Sequence, residues 1–257
     1  MLIAQISDLH VTAPGACVAG VDTAATLESC VRDIARRDPR PDLVLATGDL
    51  VEEGTPAEYD RLRELLAPLA MPVHIIAGNH DDRAALRSAF ADHAYLPSGG
   101  GPIHYALDGH DLGLIALDTT IPGAAGGALD EPQCAWFETM LRQTDRPVLV
   151  FMHHPPIVTG IRCMDEIALE PQSAARLGAI VAGQPRVERI VCGHVHRPIQ
   201  ARWSGTLVSI CPSTAYQGVL NLSGDYFDAA TGEPPAYQLH YWNGTELVTH
   251  TVSVASK

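Results

Sequence analysis

Short apolar runs alternate with longer stretches in which apolar residues recur every three or four positions, and the two patterns divide the chain into strands and helices. Leu2-Ile3-Ala4-Gln5-Ile6 reads as a strand. Leu27, Val31 and Ile34, four and three apart, predict a helix over residues 23–36. Leu43 to Ala46 is a second, wholly apolar strand. The next helix carries its own start signal: Thr55 as cap, Pro56 at the first helical position and Glu58 closing a capping box. Leu62, Leu65, Leu66 and Leu69 give that helix an apolar face, and Pro68 ends or kinks it near Leu66. A third strand over residues 73–77 and a short helix over 83–91 follow. Residues 103–107 and 112–117 predict a hairpin across Gly109. Asp130 and Gln133 mark another helix start. Residues 148–152, 190–192 and 207–210 are further strands, with a helix over 174–181 between the first two.

Strands alternating with helices, with a hairpin midway, predict an α/β fold with mixed sheets between helical layers. The 257 residues suit one large domain, and 46% apolar residues suffice for its core. Residues 1–211 read as a catalytic domain. After Pro212 the pattern loosens into Gly-, Pro- and Tyr-rich sequence, so residues 212–257 are expected to complete the same domain as a cap over the site or a contact between subunits.

The polar residues fall where such a fold builds sites. Ile6 is followed by Ser7-Asp8-Leu9-His10, Ala46 by Thr47-Gly48-Asp49, and Ile76 by Ala77-Gly78-Asn79-His80-Asp81. Met152 is followed by His153-His154-Pro155-Pro156, and Cys192 by Gly193-His194-Val195-His196. Each cluster alone reads as an ordinary turn. Five of them at the carboxyl ends of strands, on one rim, read as a binding site. Gly48, Gly78 and Gly193 suit sharp turns and close backbone approach.

Together, Asp8-x-His10, Gly48-Asp49, Gly78-Asn79-His80-Asp81, His153 and Gly193-His194-x-His196 resemble the signature of the calcineurin-like metallophosphoesterases, over residues 8–196. With Phe151-Met152-His153-His154-Pro155-Pro156 and Met164-Asp165, the pattern is similar to the bacterial class III cyclic nucleotide phosphodiesterases, their glycerophosphodiesterase branch above all. The resemblance implies a four-layer α/β/β/α sandwich and two divalent or trivalent transition-metal ions. Asp8, His10, Asp49 and His196 would hold one ion, and Asp49, Asn79, His153 and His194 the other, with Asp49 bridging. His153 rather than His154 is implied because the family places its ligand two residues before a proline. His80 would act without binding metal, touching the phosphoryl group or protonating the leaving oxygen, and Asn79 and His194 would also face the substrate.

The implied reaction is hydrolysis of a small phosphodiester, a cyclic nucleotide or a glycerophosphodiester, by attack of a metal-bridging hydroxide. Two divalent ions against Asp8, Asp49 and a hydroxide leave roughly one positive charge, which suits a singly charged diester. Ligands restricted to N and O favour Fe, Mn, Zn or Co over soft metals. Asp81, Asp118 and His154 are candidates to orient the ligand rings. Tyr216, Tyr226, Phe227, Tyr237 and Tyr241 are candidates for the wall of a base pocket.

Charge and motifs narrow the alternatives. A net charge of −13 repels a long nucleic-acid track. There is no Gly-x-Ser-x-Gly for a serine hydrolase. Glu52 stands where purple acid phosphatases carry a Tyr ligand, and the motif at Asp81 ends in Asp where Ser/Thr phosphatases carry Glu. A phosphomonoesterase and a non-catalytic metal-binding scaffold of the same fold stay open. The six cysteines have no CxxC spacing and read as reduced and mostly buried. No apolar run reaches the length of a membrane span and no signal peptide is evident, so a cytoplasmic location without membrane contact is expected. A homo-oligomer, dimeric or larger, is expected from the resemblance.

Overall fold

The computed structural model describes residues 1–224, 226–230 and 232–255; within the expected segment 212–257, Asp225, Thr231, Ser256 and Lys257 lie outside the described residues. Two mixed sheets carry the fold. The first has the order β13-β12-β1-β2-β3, from β1 (Leu2–Ile6), β2 (Leu43–Thr47), β3 (Val73–Ile76), β12 (Ala236–Trp242) and β13 (Leu247–Ser253). Here β1, β2 and β3 are parallel, while β12 runs antiparallel to β1 and β13 to β12. The second has the order β4-β5-β6-β7-β9-β8, from β4 (Tyr105–Leu107), β5 (Gly113–Leu117), β6 (Val148–Met152), β7 (Val187–Cys192), β8 (Ile199–Trp203) and β9 (Thr206–Ile210). Its inner strands are parallel and both edges antiparallel. A short ribbon joins β10 (Gln217–Gly218) to β11 (Ala229–Ala230).

Side chains alternate across a strand, so the second sheet gives one face to each of two cores, while the first sheet lies within one of them, between its own helices and the second sheet. Leu149 and Phe151 of β6 and Val191 of β7 pack with Ile3, Leu45 and Ile75 of the first sheet. The same core includes Leu27 and Ile34 of α1 (Thr23–Ala35), Tyr59 and Leu62 of α2 (Pro56–Leu66), and Leu86 of α3 (Arg83–Ala89). The intervening residues Val148, Val150 and Met152 turn the other way. They pack on Phe137 and Leu141 of α4 (Glu131–Gln143) and on Leu177 and Val181 of α6 (Pro171–Ala182), beyond the one-turn α5 (Arg162–Asp165). The layers therefore run helix, sheet, sheet, helix.

The helix starts follow the local chemistry. Thr55 and Glu58 form the capping box of α2, and Asp130 and Gln133 that of α4. Residues 103–117 contain the hairpin read from the sequence, with Tyr105 opposite Ala116. Five strands, β8 and β10 to β13, fall outside the apolar runs, and the last four correct the loose reading after Pro212. In β12 the inward positions include Gln238 and His240, both fully buried, which an apolar count does not register. The Gln238 amide donates to Ile210 O at 3.3 Å, and the His240 ring is hydrogen-bonded on both nitrogens. Gln5 Oε1 accepts from His240 Nε2 at 3.0 Å, and His240 Nδ1 faces the Thr249 hydroxyl at 2.8 Å. Burial and Arg189 keep this imidazole neutral, its pKa pushed down to about 3.

Gln5 also ties the sheets together. Its amide donates to Thr47 Oγ1 at 2.9 Å and crosses to the Cys192 carbonyl of β7 at 3.1 Å. Replacing Gln5 by Leu leaves His240 Nε2 unpaired in the core, while the Cys192 carbonyl keeps its bond from Cys211 N at 2.8 Å. The expected cost is about 1–3 kcal/mol of unfolding free energy, read from urea denaturation.

Candidate metal centre

All five polar clusters lie at carboxyl ends of parallel strands, β1, β2 and β3 from one sheet and β6 and β7 from the other. Stacking the sheets brings these ends to one rim. The chain there is strained: Asp8, His10, Asp49, His194 and His196 have φ of 52°, 45°, 48°, 77° and 54°. Non-glycine residues in this region cost on the order of 1 kcal/mol each and persist only where the surroundings hold them. Asp8 N donates to Gly48 O at 3.0 Å, His10 N to Asp49 O at 3.0 Å, His194 N to Asp8 Oδ1 at 2.8 Å and Ser213 Oγ to Asp8 O at 2.7 Å. Gly78 and Gly193 are required by close approach. A Cβ on Gly78 would overlap the Asp49 carboxylate, and one on Gly193 the Ser7 hydroxyl.

The structure brings together all eight residues singled out from the sequence. His10 Nε2 faces His196 Nε2 at 3.1 Å, and His196 Nε2 is 3.5 Å from Asp8 Oδ1. Asp49 Oδ2 sits between two imidazoles, 3.3 Å from His153 Nε2 and 3.8 Å from His10 Nε2. Asn79 Oδ1 is 3.2 Å from His153 Nε2 and 3.1 Å from His194 Nδ1. Asp8, His10, Asp49, His153, His194 and His196 are at most 4% exposed. Asn79 is half-buried and the His80 side chain about a third exposed, with Nδ1 2.8 Å from the Glu52 carbonyl.

The remaining ring contacts fix the tautomers. His10 Nδ1 donates to Glu52 Oε2 at 2.6 Å, His153 Nδ1 to the Thr47 carbonyl at 2.8 Å, and His196 Nδ1 to the Tyr216 carbonyl at 2.9 Å. Each partner is an acceptor, so each Nδ1 carries the proton. In the neutral rings the three Nε2 atoms are then bare lone pairs aimed at one another and at Asp8, Asp49 and Asn79 Oδ1. Among the described residues Asp8 Oδ2 and His194 Nε2 have no hydrogen-bond partner at all. A buried set of acceptors facing acceptors fits cations and little else. Among the described residues, the ligand atoms of Asp8, His10 and His196 lie within 4.8 Å of one another, as do those of Asp8, Asp49 and His153, which gives room for more than one ion.

The family profile of the calcineurin-like phosphoesterases matches residues 1–198. The chain belongs to that family. It is 34% identical over 254 residues to a probable glycerophosphodiester phosphodiesterase of Arcobacter nitrofigilis, covering 98% of this chain and 92% of the relative. It is 35% identical over 219 residues to a 3',5'-cyclic adenosine monophosphate phosphodiesterase of Pseudomonas aeruginosa, covering 84% and 77%. In fold it is similar to the crystal structure of a dimetal phosphatase from Danio rerio, with a TM-score of 0.68, 14% identity and 99% of each chain covered. Among the described residues no helix is long and apolar enough to cross a membrane.

Within this phosphoesterase fold, His154 has no lone pair for the centre. Its Nε2 donates to the Ala125 carbonyl at 3.1 Å and its Nδ1 accepts from the Thr119 hydroxyl at 2.8 Å. The ring-orienting partners differ from those expected. Asp81 accepts from Leu50 N, Gly78 N and the Tyr59 hydroxyl, joining two of the loops, and Asp118 pairs with Arg83 at 2.7 Å. Glu52 and two backbone carbonyls orient the rings instead. Only Glu52, three residues past Asp49, has a sequence signal; the carbonyls have none. Of the five aromatic candidates, Tyr216 and Phe227 line the cleft over the centre. Tyr237 is buried and bonded to Asp33 at 2.6 Å, while Tyr226 and Tyr241 are exposed.

In the metal-free protein, protons take the place of cations. Burial disfavours the charged form of His153, but the Asp49 carboxylate outweighs it and raises the pKa to about 9. Burial holds His196 down, to about 4. The His153–Asp49 pair therefore stabilises the metal-free fold fully below about 6.5, and that contribution is lost as pH rises through about 9. Burial also disfavours the charged form of His10, but Glu52 and the Asp49 carboxylate outweigh it and raise that pKa too. Imidazole NMR titration of metal-free protein is expected to show a ring titrating near 9, a transition lost in His153→Ala.

Proposed function

We propose that this protein is a binuclear-metal-dependent phosphodiesterase that hydrolyses small phosphodiesters, with cyclic nucleotides and glycerophosphodiesters as the two candidate classes. The observation that carries the reading is the convergence of tautomer-fixed Nε2 lone pairs on two buried carboxylates. Asp8, His10, Asp49 and His196 would hold one ion, and Asp49, Asn79, His153 and His194 the second. The N and O donor set suits Fe, Mn, Zn or Co. When bound, such a pair supplies charge neutralisation at the phosphate and a water acidic enough to act near neutral pH.

The chain's own groups do the rest. Asp49, between His10 and His153, sets the spacing of the two sites. His80 is oriented by its Nδ1 contact to Glu52 O, which leaves Nε2 free for the departing ester oxygen or the phosphoryl group. Asn79 and His194 border the same cleft and are positioned to meet the phosphate. Residues 1–211 are read as the catalytic unit and 212–257 as its completion, supported by the place of β12 beside β1. A cytoplasmic homo-oligomer remains part of the proposal.

The test separates chemistry from metal binding. His80→Ala is expected to lower kcat on bis(p-nitrophenyl) phosphate by about 10²–10³-fold while keeping two metals per chain by elemental analysis. Loss of both metals in that variant would remove His80 from the proposed role. Asp49→Asn is expected to lose metal as well as activity, since one carboxylate serves both sites.

A further inference from the structure

We propose that the diester taken by this site is amphiphilic, with one alkyl or aryl alcohol lying in the apolar cleft under Phe227 and a polar alcohol lying in the larger cavity on the other side of His80. This rests on the phosphodiesterase reading and names the substrate class for it.

Two cavities meet at Asn79 and His80. The smaller, about 190 Å³, has the metal-centre residues as its floor and Met164, Ile167, Tyr216 and Phe227 as its walls, with no Lys or Arg. The larger, about 600 Å³, is lined by the charged or polar side chains of Glu53, Asp82, Arg83, Arg87 and Thr120 together with Ala84, Ile121 and Pro122. A phosphorus atom held at the shared border directs its two ester oxygens to different sides. The sides are not interchangeable. A sugar or glycerol hydroxyl in the small cleft would find only the Tyr216 hydroxyl among four wall side chains, and burying it unpaired is unfavourable. An alkyl or aryl group there loses contact with water and no hydrogen bond. In the larger cavity a hydroxylated group finds donors and acceptors.

The apolar wall is built before any ligand arrives. The Phe227 ring lies against Gly218, where a Cβ would overlap it. The β10–β11 ribbon pairs Gly218 with Ala229, and Val219 N donates to Asp228 O at 2.8 Å. Arg197 donates to the Gly218 carbonyl and to Glu233 at 3.0 Å, anchoring the same turn. The loop that carries Phe227 also carries Leu220 and Leu222, 59% and 65% exposed, and Val158 is 85% exposed. A Cβ on Gly160 would touch Leu222, so the loops carrying Val158 and Leu222 meet. Large exposed aliphatics brought together in this way mark a binding surface. Their place on the Phe227 loop assigns them to the far end of the same apolar group.

The experiment uses metal-loaded protein and a series of sn-glycerol phosphodiesters whose second alcohol is methanol, butanol or hexanol, all too short to form micelles at assay concentration. We expect kcat/KM to rise about threefold per methylene from methyl to butyl and to keep rising more gently to hexyl. Phe227→Ala is expected to flatten the methyl-to-butyl rise, and Leu222→Ser, at an exposed position where folding is not at stake, the butyl-to-hexyl rise. A flat or falling series in the wild-type protein, with the methyl ester turned over, would overturn the inference and leave the phosphodiesterase reading standing. A length dependence that persists unchanged in both variants would overturn it too. No turnover of any member, nor of an aryl diester, by protein carrying two metals would overturn the phosphodiesterase reading itself.

Discussion

Three imidazoles whose outer nitrogens are committed to Glu52, Thr47 O and Tyr216 O must present lone pairs inward, and that constraint organises the rest of the site. The inward Nε2 atoms of His10 and His196 lie 3.1 Å apart, and that of His153 lies 3.3 Å from Asp49. Neutral rings in that arrangement repel each other and the carboxylates. Cations relieve the repulsion; in their absence protons do so in part, which is why Asp49 holds His153 charged beyond its ordinary range. The electrostatics and the tautomers thus have one cause, a buried cage of acceptors.

Holding that cage is a matter of fold. Two sheets stacked face to face put five strand ends on one rim, and the chain must turn abruptly there to aim short side chains inward. Five of the converging residues adopt left-handed backbone conformations. The strain is contained by hydrogen bonds between loops of different strands, such as His194 N to Asp8 Oδ1 and His80 N to Asp49 Oδ1 at 3.0 Å. Behind the rim, Gln5 reaches from β1 to Cys192 of β7, and Arg189 of β7 donates to Thr249 of β13 at 2.8 Å. Polar ties across the sandwich fix the register of one sheet on the other, so the half-sites on each sheet meet at the required distance.

Much of this was legible because the polar clusters and the strand ends coincide. Apolar runs located β1, β2, β3, β6 and β7, and the residues directly after them named the cage. The capping boxes at Thr55 and Asp130 located α2 and α4 for an equally local reason. What stayed hidden depends on non-local partners. β12 is buried through Gln238 and His240; the Gln238 amide donates to Ile210 O and the His240 ring meets Gln5 across the sheet and Thr249 on the neighbouring strand, partners that an apolar count does not register. Two of the three ring-orienting groups are backbone carbonyls, which carry no residue identity. Tyr216 and Phe227 were separable from Tyr226, Tyr237 and Tyr241 only once the chain was folded.

A cage built for two cations must give up protons as they enter. Calorimetric titration of metal-free protein with Mn²⁺ at pH 7.5, repeated in buffers of different ionisation enthalpy, tests it most directly. Saturation at two ions per chain with net proton release is expected, because His153 is protonated before loading. No binding, or binding of two ions without proton release, would contradict it.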